Sequence, residues 1–542
     1  MAWRIAYLVF AGFLGTCLGA APTKPSIAKA YQVGGMLQLP YAEIKEPFYA
    51  YYDGHNNRTR IDYYSGMSKM YQRGDLKKSY SVVFTSYSDD KLNQLTCFES
   101  GGMPQLQSVF PDLTNFTLYA KGQPHPTGAN ITVDAWRFVM TVGKKKNTYT
   151  FYVDSKKQIP VRYEMFGYDT LMGSHYDKYY IDYHGYLEYT NTSLNVSVFQ
   201  PTVKNCSVGY TQTKNSEKRI LMNPMREYVH HDDLHIHEMF EDFKKTYQRN
   251  FMTIKEHETR KFNFRHNVRF IHSKNRAGLS YKVAVNHLAD RSPWEMKKMR
   301  GRLYKPGYNG GLPFNKKMYE SIKLPSQVDW RNYGAVTPVK DQAVCGSCWS
   351  FGTTGTLEGT YFLMTGKLLK LSQQELIDCS WGEGNMGCDG GDDFLAYQWI
   401  RKHGGLTTEE IYGSYMAVDG KCHWKTNGTR VQIKVWYNVT SGDSDALKMA
   451  LAKHGPISVA IDASHKSFSF YSNGVYYEPK CGNAPEQLDH AVLAVGYGTM
   501  NGKAYWLVKN SWSTYWGNDG YVLMAQKDNN CGVETDPTFV TM

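Results

Sequence analysis

The sequence predicts an α+β protein in which an all-β domain is followed by a helical segment and then by a domain that mixes helices and strands. Three observations carry this prediction. Short alternating runs fill residues 21–206, apolar residues recur three or four apart from Leu234 onward, and helical and strand-like runs alternate after residue 324. With 542 residues the chain is too long for one core, so three or four domains are expected.

The first twenty residues (1–20) have the layout of a secretory signal peptide. Arg4 precedes an apolar run from Ile5 to Leu18, and Gly19-Ala20-Ala21 supplies the small residues of a cleavage site. The run is short for a bilayer span, so a membrane anchor is the less favoured alternative. N-glycosylation sequons also indicate passage through the secretory pathway, toward a lysosome, a secretory granule or the extracellular space. The sequons are at Asn57, Asn115, Asn130, Asn191, Asn195, Asn205, Asn427 and Asn438.

Charge and composition argue against nucleic acid as a partner. The net charge of +12 is spread along the chain, and 42% of the residues are hydrophobic, as in ordinary globular proteins. The compact run Lys144-Lys145-Lys146 lies between two strand-like segments. A solvated hairpin turn explains this run better than a nucleic-acid patch does.

Residues 21–206 are expected to form a β-rich accessory domain, either a strongly curved sheet or a half-barrel. The runs Asn147 to Val153 and Ile159 to Met165 flank a polar turn, which predicts an antiparallel hairpin. The segment from Tyr152 to Tyr163 is similar to a short sequence segment in half-barrel lipid-carrier proteins. A fold does not assign a function, so the ligand of this domain stays open.

Residues 207–233 are polar and without periodicity, which predicts an exposed linker that is open to proteolysis. The segment contains the dibasic pair Lys218-Arg219. A metal site is conceivable where histidines cluster at its end, but no cysteine or supporting ligand spacing accompanies them. A solvated linker is therefore preferred for His230, His231, His235 and His237.

Helical spacing dominates the first part of residues 234–323. Phe240, Phe243 and Tyr247 lie three or four apart and predict one helix. A strand-like run from Val283 to Asp290 and a glycine- and proline-rich stretch follow. Between them, a second helix is predicted to carry a row of residues along one side: Glu256, Arg260, Phe264, Asn267, Ile271 and Asn275.

The cysteine count predicts one thiol that is kept for its chemistry. Nine cysteines remain once Cys17 leaves with the signal, which is an odd number for an oxidising compartment. Cys97 and Cys206 stand alone in the N-terminal half and most simply pair with each other. Three bridges among the remaining seven leave one thiol over; the seven are Cys345, Cys348, Cys379, Cys388, Cys422, Cys481 and Cys531.

Cys348 is the strongest candidate for that thiol. The residues after it predict a helix through Leu357, Tyr361 and Met364 to a glycine cap at Gly366. Cys348 therefore lies at a helix N-terminus, where unpaired N–H groups and the helix dipole stabilise a thiolate. A thiolate is the attacking species in cysteine-dependent catalysis.

Three other residues complete a catalytic set around Cys348. His490, in a β-rich run, can hold the thiol proton, and the amide of Asn510 can accept from one imidazole nitrogen and orient the ring. The side-chain amide of Gln342 and the backbone N–H of Cys348 can donate to a developing oxyanion. Each residue alone has an ordinary structural explanation, but the combination predicts nucleophilic catalysis.

At these residues the sequence resembles the papain/cathepsin L family of cysteine proteases, over about residues 236–542. The resemblance includes the segments Leu371 to Cys379 and Gly387 to Gly391. The helical row that begins at Glu256 has the spacing of the family's inhibitory propeptide. The run 284–290 is similar to a second propeptide motif, although Ala284 and Leu288 replace the commoner Gly and Phe.

The resemblance implies a papain-like two-lobed endopeptidase over 324–542, with a helical lobe bearing Cys348 and a β-barrel-like lobe bearing His490. It implies a secreted or lysosomal zymogen that acts on proteins and peptides, has its own propeptide (234–323) as inhibitor, and needs no cofactor or metal. Asp290 is expected to hold the propeptide strand and to release it when protonated. The implied bridges are Cys345–Cys388, Cys379–Cys422 and Cys481–Cys531.

Two departures from the family pattern stand out. Ser513 follows Trp512 where the family usually has Gly, and the loop that makes cathepsin B an exopeptidase is missing. Carboxylates also occupy the pocket for the substrate side chain two residues before the scissile bond, so basic as well as apolar side chains are expected there. The family's substrate-binding positions are Gly390, Gly391, Asp392, Asp393, Ala460, Leu488, Asp489, Ala491, Trp512 and Asp536. An alternative is that Asp392 and Asp393 point to solvent and only Asp536 matters.

The domain order resembles that of two-chain insect haemocyte proteinases, in which a β-rich N-terminal chain is retained beside the protease chain. The sequence from Arg58 to Tyr64 is similar in character to that of their first domain. Any such retention here would be non-covalent, because the expected disulfides lie within each unit. The alternative function is a binding protein for lipid or a microbial surface with a vestigial protease unit. The intact catalytic set and complete propeptide favour the protease.

Overall fold

The structure is a computed structural model that describes residues 23–85, 93–101, 106–190, 194–207, 223–231, 233–321, 323–423 and 428–542. The expected signal peptide, the pair Lys218-Arg219, and the sequons at Asn191 and Asn427 lie outside the described residues. Within the described ranges, no helix has both the length and the apolar character needed to cross a membrane.

The N-terminal domain is an antiparallel sheet of 11 strands, as the alternating runs predicted. Two meanders build it: β1 to β6 lead to one edge, β7 to β11 return from the other, and β1 pairs with β11 in the middle. The predicted hairpin is confirmed by the pairing of β9 with β10. The strands are β1 (Ala30–Leu39), β2 (Ile44–Asp53), β3 (Arg58–Tyr63), β4 (Ser68–Arg73), β5 (Lys78–Thr85), β6 (Gln94–Gly101), β7 (Thr117–Pro124), β8 (Thr132–Val142), β9 (Lys145–Asp154), β10 (Pro160–Asp169) and β11 (Ser174–Glu188).

One face of this sheet is covered by aromatic side chains from the chain's own connecting segments. Phe110, from the segment between β6 and β7, lies 4.7 Å from the ring of Tyr183 and 4.9 Å from that of Tyr31. Tyr228, from a short helix α1 (Met225–Val229), lies 5.2 Å from the ring of Tyr179. This part of the sheet therefore has a packed aromatic core.

The expectation of an exposed linker over 207–233 is wrong for the end of that segment. Met225, Tyr228 and Val229 are buried against the sheet because their spacing places them on one face of α1. The histidines have protein partners as well: His231 lies 4.2 Å from the ring of Tyr149, and buried His235 lies 3.8 Å from Glu227. Half-buried His230 follows α1 directly, and exposed His237 is 3.0 Å from Lys261.

The inhibitory segment folds as three helices and two short strands: α2 (Leu234–Thr246), α3 (Ile254–Arg276), β12 (Tyr281–Val283), α4 (Pro293–Lys298) and β13 (Leu312–Pro313). The rings of Phe240 and Phe243 lie 5.2 and 5.0 Å from that of Phe264, which joins α2 to α3. The prediction of a strand over Val283 to Asp290 is wrong beyond Val283, where β12 ends, because the chain then turns to pack on α3.

The side chains of the helical row on α3 bind this returning segment. Arg260 donates two hydrogen bonds to Glu295, at 2.7 and 3.0 Å. Asn267 donates to the carbonyl of Ala289 at 2.9 Å, and Asn275 donates to that of Val283 at 2.8 Å. The spacing seen in the sequence is therefore the spacing needed to hold the segment along one side of a helix.

The C-terminal domain has a helical part and a sheet part. Its helices are α5 (Cys348–Thr365), α6 (Gln373–Cys379), α7 (Asp393–Lys402), α8 (Glu409–Tyr412), α9 (Ser444–His454) and α10 (Lys466–Ser469). Its strands are β14 (Val328–Asp329), β15 (Leu406–Thr407), β16 (Arg430–Val431), β17 (Val435–Asn438), β18 (Ile457–Ile461), β19 (Tyr471–Tyr476), β20 (His490–Met500), β21 (Lys503–Lys509), β22 (Tyr521–Ala525) and β23 (Thr538–Thr541). The inhibitory segment extends this sheet at both ends, because β12 pairs with β19 and β13 pairs with β17.

Helix α5 packs closely against the sheet. A Cβ atom added to Gly352 or Gly355 would lie 2.6 Å from Ser458 or 2.5 Å from Leu493, so only glycine allows this approach. The predicted apolar row along α5 is only partly buried, since Leu357 is inaccessible whereas Met364 is 59% exposed. The last turns of the helix extend beyond the sheet that covers its beginning.

Four disulfides stabilise the described chain: Cys97–Cys206, Cys345–Cys388, Cys379–Cys422 and Cys481–Cys531. The first lies within the β domain and the other three lie within the C-terminal domain. Cys348 is the free cysteine of the described residues.

The described sequons differ in accessibility. Asn57, Asn115, Asn130, Asn195 and Asn205 are exposed. Asn438 is half-buried, and its side-chain nitrogen donates to the amide oxygen of Asn309 at 2.8 Å. A glycan is attached through that nitrogen and would leave it a single N–H with which to make this contact.

Candidate active site

Cys348 is the first residue of α5 and is fully buried. Its sulfur accepts hydrogen bonds from the backbone N–H groups of Gly301 and Ala491, at 3.3 and 3.5 Å. Burial raises the pKa of the thiol to about 11, even though these two N–H groups lower it. With the inhibitory segment in place, the thiol is therefore protonated at neutral pH.

His490 and Asn510 form a hydrogen-bonded pair beside this helix. His490 Nε2 and Asn510 Oδ1 are 2.9 Å apart, and the backbone N–H of Ser511 donates to the same oxygen at 2.8 Å. That second donor identifies the Asn510 atom as the oxygen, so Nε2 carries the imidazole hydrogen. Nδ1 is buried without a hydrogen-bond partner among the described residues, and in the neutral ring it is the basic nitrogen.

The imidazole is shielded from water. Its ring lies 4.9 Å from that of Trp512, and both residues are fully buried. Burial lowers the pKa of His490 to about 4, with Arg300 contributing in the same direction and Asn510 opposing. Thiol and imidazole are thus both neutral in this covered state.

The side chain of Gln342 binds a carbonyl group beside the thiol. Its Nε2 donates to the carbonyl oxygen of Met299 at 2.8 Å, and the hydroxyl of Ser511 donates to its Oε1 at 2.6 Å. The second contact fixes the amide with its nitrogen toward Met299. The same nitrogen also donates to the carbonyl oxygen of Cys345 at 2.7 Å.

The chain after α4 crosses this site through backbone hydrogen bonds. Gly391 N–H donates to Gly301 at 2.9 Å, its carbonyl accepts from Leu303 at 2.8 Å, and Arg302 N–H donates to the carbonyl of Asp489 at 3.0 Å. A Cβ atom on Gly301 would lie only 1.9 Å from the carbonyl oxygen of Gly346. One on Gly390, whose φ is +126°, would lie 2.8 Å from the Gly301 oxygen. Glycines on both sides permit this close crossing.

The side chain of Arg302 fills a pocket lined by carboxylates. It contacts Asp536, and its Nε is 3.6 Å from Asp392. Its Nη1 also donates to the carbonyls of Pro485 and Leu488, at 2.9 and 3.2 Å. The side chain is only 2% exposed, so these acceptors replace water around a buried cation.

The other carboxylates predicted for the pocket, Asp392 and Asp393, differ in their partners. Asp392 and Asp393 are both buried, so the alternative in which they point to solvent is wrong. Asp393 turns toward Thr538, whose hydroxyl donates to it at 2.5 Å. Ala460 and Ala491 pair across β18 and β20 and are buried.

Ser513 adopts a φ of +69°, in the left-handed region that favours glycine. Its N–H donates to the carbonyl of Lys340 at 3.1 Å. The departure from the family residue therefore leaves a left-handed turn in place, at a cost of roughly 1–2 kcal/mol.

The expectation that protonation of Asp290 releases the propeptide stays a prediction, and the direction of its pKa shift argues against it. The carboxyl is buried, with Arg249 3.5 Å away, and burial raises its pKa despite three neighbouring arginines. A carboxyl whose pKa is raised on docking binds its proton more tightly in the docked state, so acid favours docking through Asp290.

Sequence reasoning missed the residues that cover the site, namely Met299, Arg300, Gly301 and Arg302. Arg300 contacts the carboxylate of Asp489 at 2.7 Å, so both arginines of this segment are paired with cleft carboxylates. A glycine between two arginines, in Arg300-Gly301-Arg302, was the available signal.

Comparison with known proteins places the chain among peptidases and their inhibitory segments. Residues 324–541 match the papain family cysteine protease, and residues 240–296 match the cathepsin propeptide inhibitor domain (I29). The chain is 43% identical over 310 residues to digestive cysteine proteinase 1 of Homarus americanus, which takes in 56% of this chain and 94% of that protein. It is 55% identical over 221 residues to a cathepsin L-like peptidase of Aedes aegypti, which takes in 40% of this chain and 64% of the relative.

A solved structure of a proteinase precursor is also similar to this chain. The digestive procathepsin L2 proteinase from Tenebrio molitor larval midgut is 35% identical and superposes with a TM-score of 0.54, over 57% of this chain and 100% of that chain. Both family matches begin after the β domain.

Proposed function

The chain belongs to the papain family of cysteine proteases, and we propose that Cys348, His490, Asn510 and Gln342 are the residues with which it hydrolyses peptide bonds. It is a cysteine endopeptidase with an inhibitory propeptide, and is therefore made as a zymogen. The single observation that carries the proposed roles is the hydrogen bond from Gln342 to the Met299 carbonyl, beside a thiol buried at a helix N-terminus.

The proposed reaction begins when the propeptide leaves the cleft. Water then reaches Cys348 and His490, which removes the burial that holds the thiol pKa high and the imidazole pKa low. The thiol proton moves to Nδ1 of His490, and the helix N-terminus stabilises the thiolate. Asn510 keeps Nε2–H in place throughout.

The thiolate sulfur then attacks the scissile carbonyl carbon, and the C=O electron pair becomes an oxyanion. Gln342 Nε2 and the backbone N–H of Cys348 donate to that oxyanion. The imidazolium of His490 gives its proton to the leaving amine as the C–N bond breaks, which leaves a thioester. Water, deprotonated by His490, attacks the thioester, releases the acid product and restores the thiol.

For the substrate, the proposed class is a peptide with a basic or an apolar side chain two residues before the scissile bond. Arg302 supports this assignment, because its guanidinium group already occupies the pocket between Asp392 and Asp536. An arginine side chain of a substrate would make the same charge-assisted contacts.

The proposed processing separates three units: the accessory domain (21–206), the propeptide (234–323) and the protease (324–542). We expect the cut that frees the protease near Lys323-Leu324, and any lasting association with the β domain to be non-covalent, since the described disulfides lie within each unit. The proposed location is the secretory pathway. The binding-protein alternative is not favoured, because catalytic residues and propeptide are both intact.

Titration of the active-site thiol in processed protein tests the catalytic proposal, together with N-terminal sequencing of each product. One reactive thiol per protease chain, lost in Cys348→Ser, is the expected result. An unreactive thiol in fully processed protein would support the vestigial alternative instead.

A further inference from the structure

The longest propeptide helix, α3, lies between the β domain and the protease and has a distinct basic face. Arg265, Arg269 and Arg276 are separated by four and then seven residues, which places them on the same side of the helix. This side faces the β domain, whereas Phe270 of the same helix lies 6.4 Å from the ring of Phe470 in the protease.

Arg269 is held by two carboxylates of different elements. Its two terminal nitrogens donate to the two oxygens of Asp177 in β11, at 2.8 and 2.9 Å, and its Nε donates to Glu227 in α1 at 2.7 Å. The three side chains are between 2% and 9% exposed. Arg265 adds a 2.7 Å contact to Asp233.

Arg276 makes an equivalent contact at the end of the helix. It donates two hydrogen bonds to Glu46 in β2, at 2.6 and 2.8 Å, and Glu46 is 1% exposed. Its guanidinium group lies 5.5 Å from the ring centre of Tyr63. Because isolated buried carboxylates are strongly unfavourable, Glu46 and Asp177 require these arginines.

The β domain meets the protease itself much more lightly. Lys466 of the protease lies 3.1 Å from Glu43, whose side chain is 66% exposed, and an exposed ion pair of this kind contributes little. The buried, bidentate contacts of the β domain are made with the propeptide instead.

We infer that the β domain, together with the helix α1 that packs on it, is a binding partner of the propeptide: the acidic face formed by Glu46, Asp177 and Glu227 holds the arginine face of α3 and so strengthens inhibition of the protease. The domain acts on the zymogen through the propeptide. It keeps α3, and with it the segment that crosses Cys348, in the docked arrangement. This effect of the β domain on inhibition is independent of which substrate the protease cleaves.

The test is a zymogen that carries Glu46→Gln and Asp177→Asn, which retain shape but remove both charges. We expect alkylation of Cys348 at neutral pH to become at least tenfold faster than in the wild type, because the propeptide is held less firmly. Asp75→Asn is the matched control, since Asp75 pairs with Arg58 and Arg73 inside the β domain. An unchanged alkylation rate in the double variant, or an equal increase in the control, would overturn the inference.

A second measurement uses the wild-type contacts and so does not depend on the folding of a variant. A protease site inserted between α1 and α2, within residues 230–233, allows the chain to be cut so that α1, with Glu227, stays with the β domain. The cut β domain should co-elute with the propeptide-containing zymogen fragment at neutral pH in moderate salt. Separation of the two fragments immediately after cutting would contradict the inference.

Discussion

The guanidinium group of Arg302 contacts the carboxylate of Asp536, which joins the propeptide to the floor of the proposed substrate pocket. The same guanidinium lies 3.6 Å from Asp392. A basic side chain of the protein's own inhibitory segment therefore occupies the pocket whose carboxylates predict basic substrates.

Asp536→Ala should lower the ratio of cleavage of an Arg-Arg reporter to that of a Phe-Arg reporter, by about tenfold, the usual worth of one charge-assisted hydrogen bond. The wild-type ratio should also fall as the pH drops and the carboxyls of Asp392 and Asp536 protonate, because a neutral carboxyl loses the charge-assisted contact with a basic side chain. The measurement is kcat/KM for both reporters across pH. Asp389→Ala is the control, since this carboxylate is 67% exposed outside the pocket. Negligible cleavage of Arg-Arg by the wild type would defeat the specificity proposal.

Arg302→Ala should make the zymogen easier to activate, because the variant loses the contacts with Asp392 and Asp536 that help to hold the propeptide in the cleft. We expect processing at a fixed acid pH to be several-fold faster, measured by gel from the loss of full-length chain. Lys305→Ala changes an exposed cation three residues away and should process at the wild-type rate. Equal rates for wild type and Arg302→Ala would show that the pocket contact contributes nothing to inhibition.

Cys348→Ala and Cys348→Ser should abolish peptidase activity and self-processing while leaving the fold intact. The substitution removes the nucleophile and little else, since the sulfur accepts weak contacts from backbone N–H groups, among them those of Gly301 and Ala491. Circular dichroism and turnover of a peptide amide provide the two readouts. Residual turnover by the alanine variant, after exclusion of a contaminating protease, is the result that would remove Cys348 from its role.

His490→Ala should be nearly as damaging as Cys348→Ala, whereas Asn510→Ala should retain measurable activity. Asn510 positions the imidazole through the 2.9 Å hydrogen bond to Nε2 and does not itself transfer a proton. A positioning role predicts a loss in kcat with an altered pH profile, because the ring loses its fixed tautomer. If Asn510→Ala were as inactive as Cys348→Ala with an unchanged fold, the division of roles would be wrong.

Buried histidines should make docking of the propeptide sensitive to acid. Burial lowers the pKa of His266 and of His272 to about 3, and that of His287 to about 4. A histidine whose pKa is lowered on docking favours the docked propeptide fully when the pH is above the pKa of the free side chain, about 6.5. This contribution is lost as the pH falls toward the lower pKa of the docked state. Activation should therefore accelerate between about pH 6.5 and 4.

His266→Gln should move the pH midpoint of processing to lower pH by a few tenths of a unit. His266 contacts the carbonyl of Tyr176 at 3.3 Å and faces Asp177, Arg265 and Arg269, of which Asp177 favours and the arginines oppose its protonation. His184→Gln, at an exposed position on β11, serves as the control. If the pH midpoint of processing were unchanged in His266→Gln, groups other than His266 would be responsible for the acid sensitivity.

Local patterns were sufficient to predict the units of the chain. Alternation predicted the β domain, and a spacing of three and four predicted the propeptide helix, because these patterns depend only on which face of a strand or helix is buried. The same reasoning failed at Met225–Val229, where a five-residue helix is too short to show its periodicity in a polar segment. It also gave no sign that Asp290 is buried, because burial cannot be anticipated from neighbours in sequence.

The sequence by itself determined the kind of chemistry, since a leftover thiol before a predicted helix, with a histidine, an asparagine and a glutamine, allows few other uses. Only the tertiary structure decided which groups face each other. Arg302 and Asp536 are 234 residues apart, and Arg276 and Glu46 are 230 apart. Pairings at such separations depend on how whole units dock, and no periodicity within either unit records that arrangement.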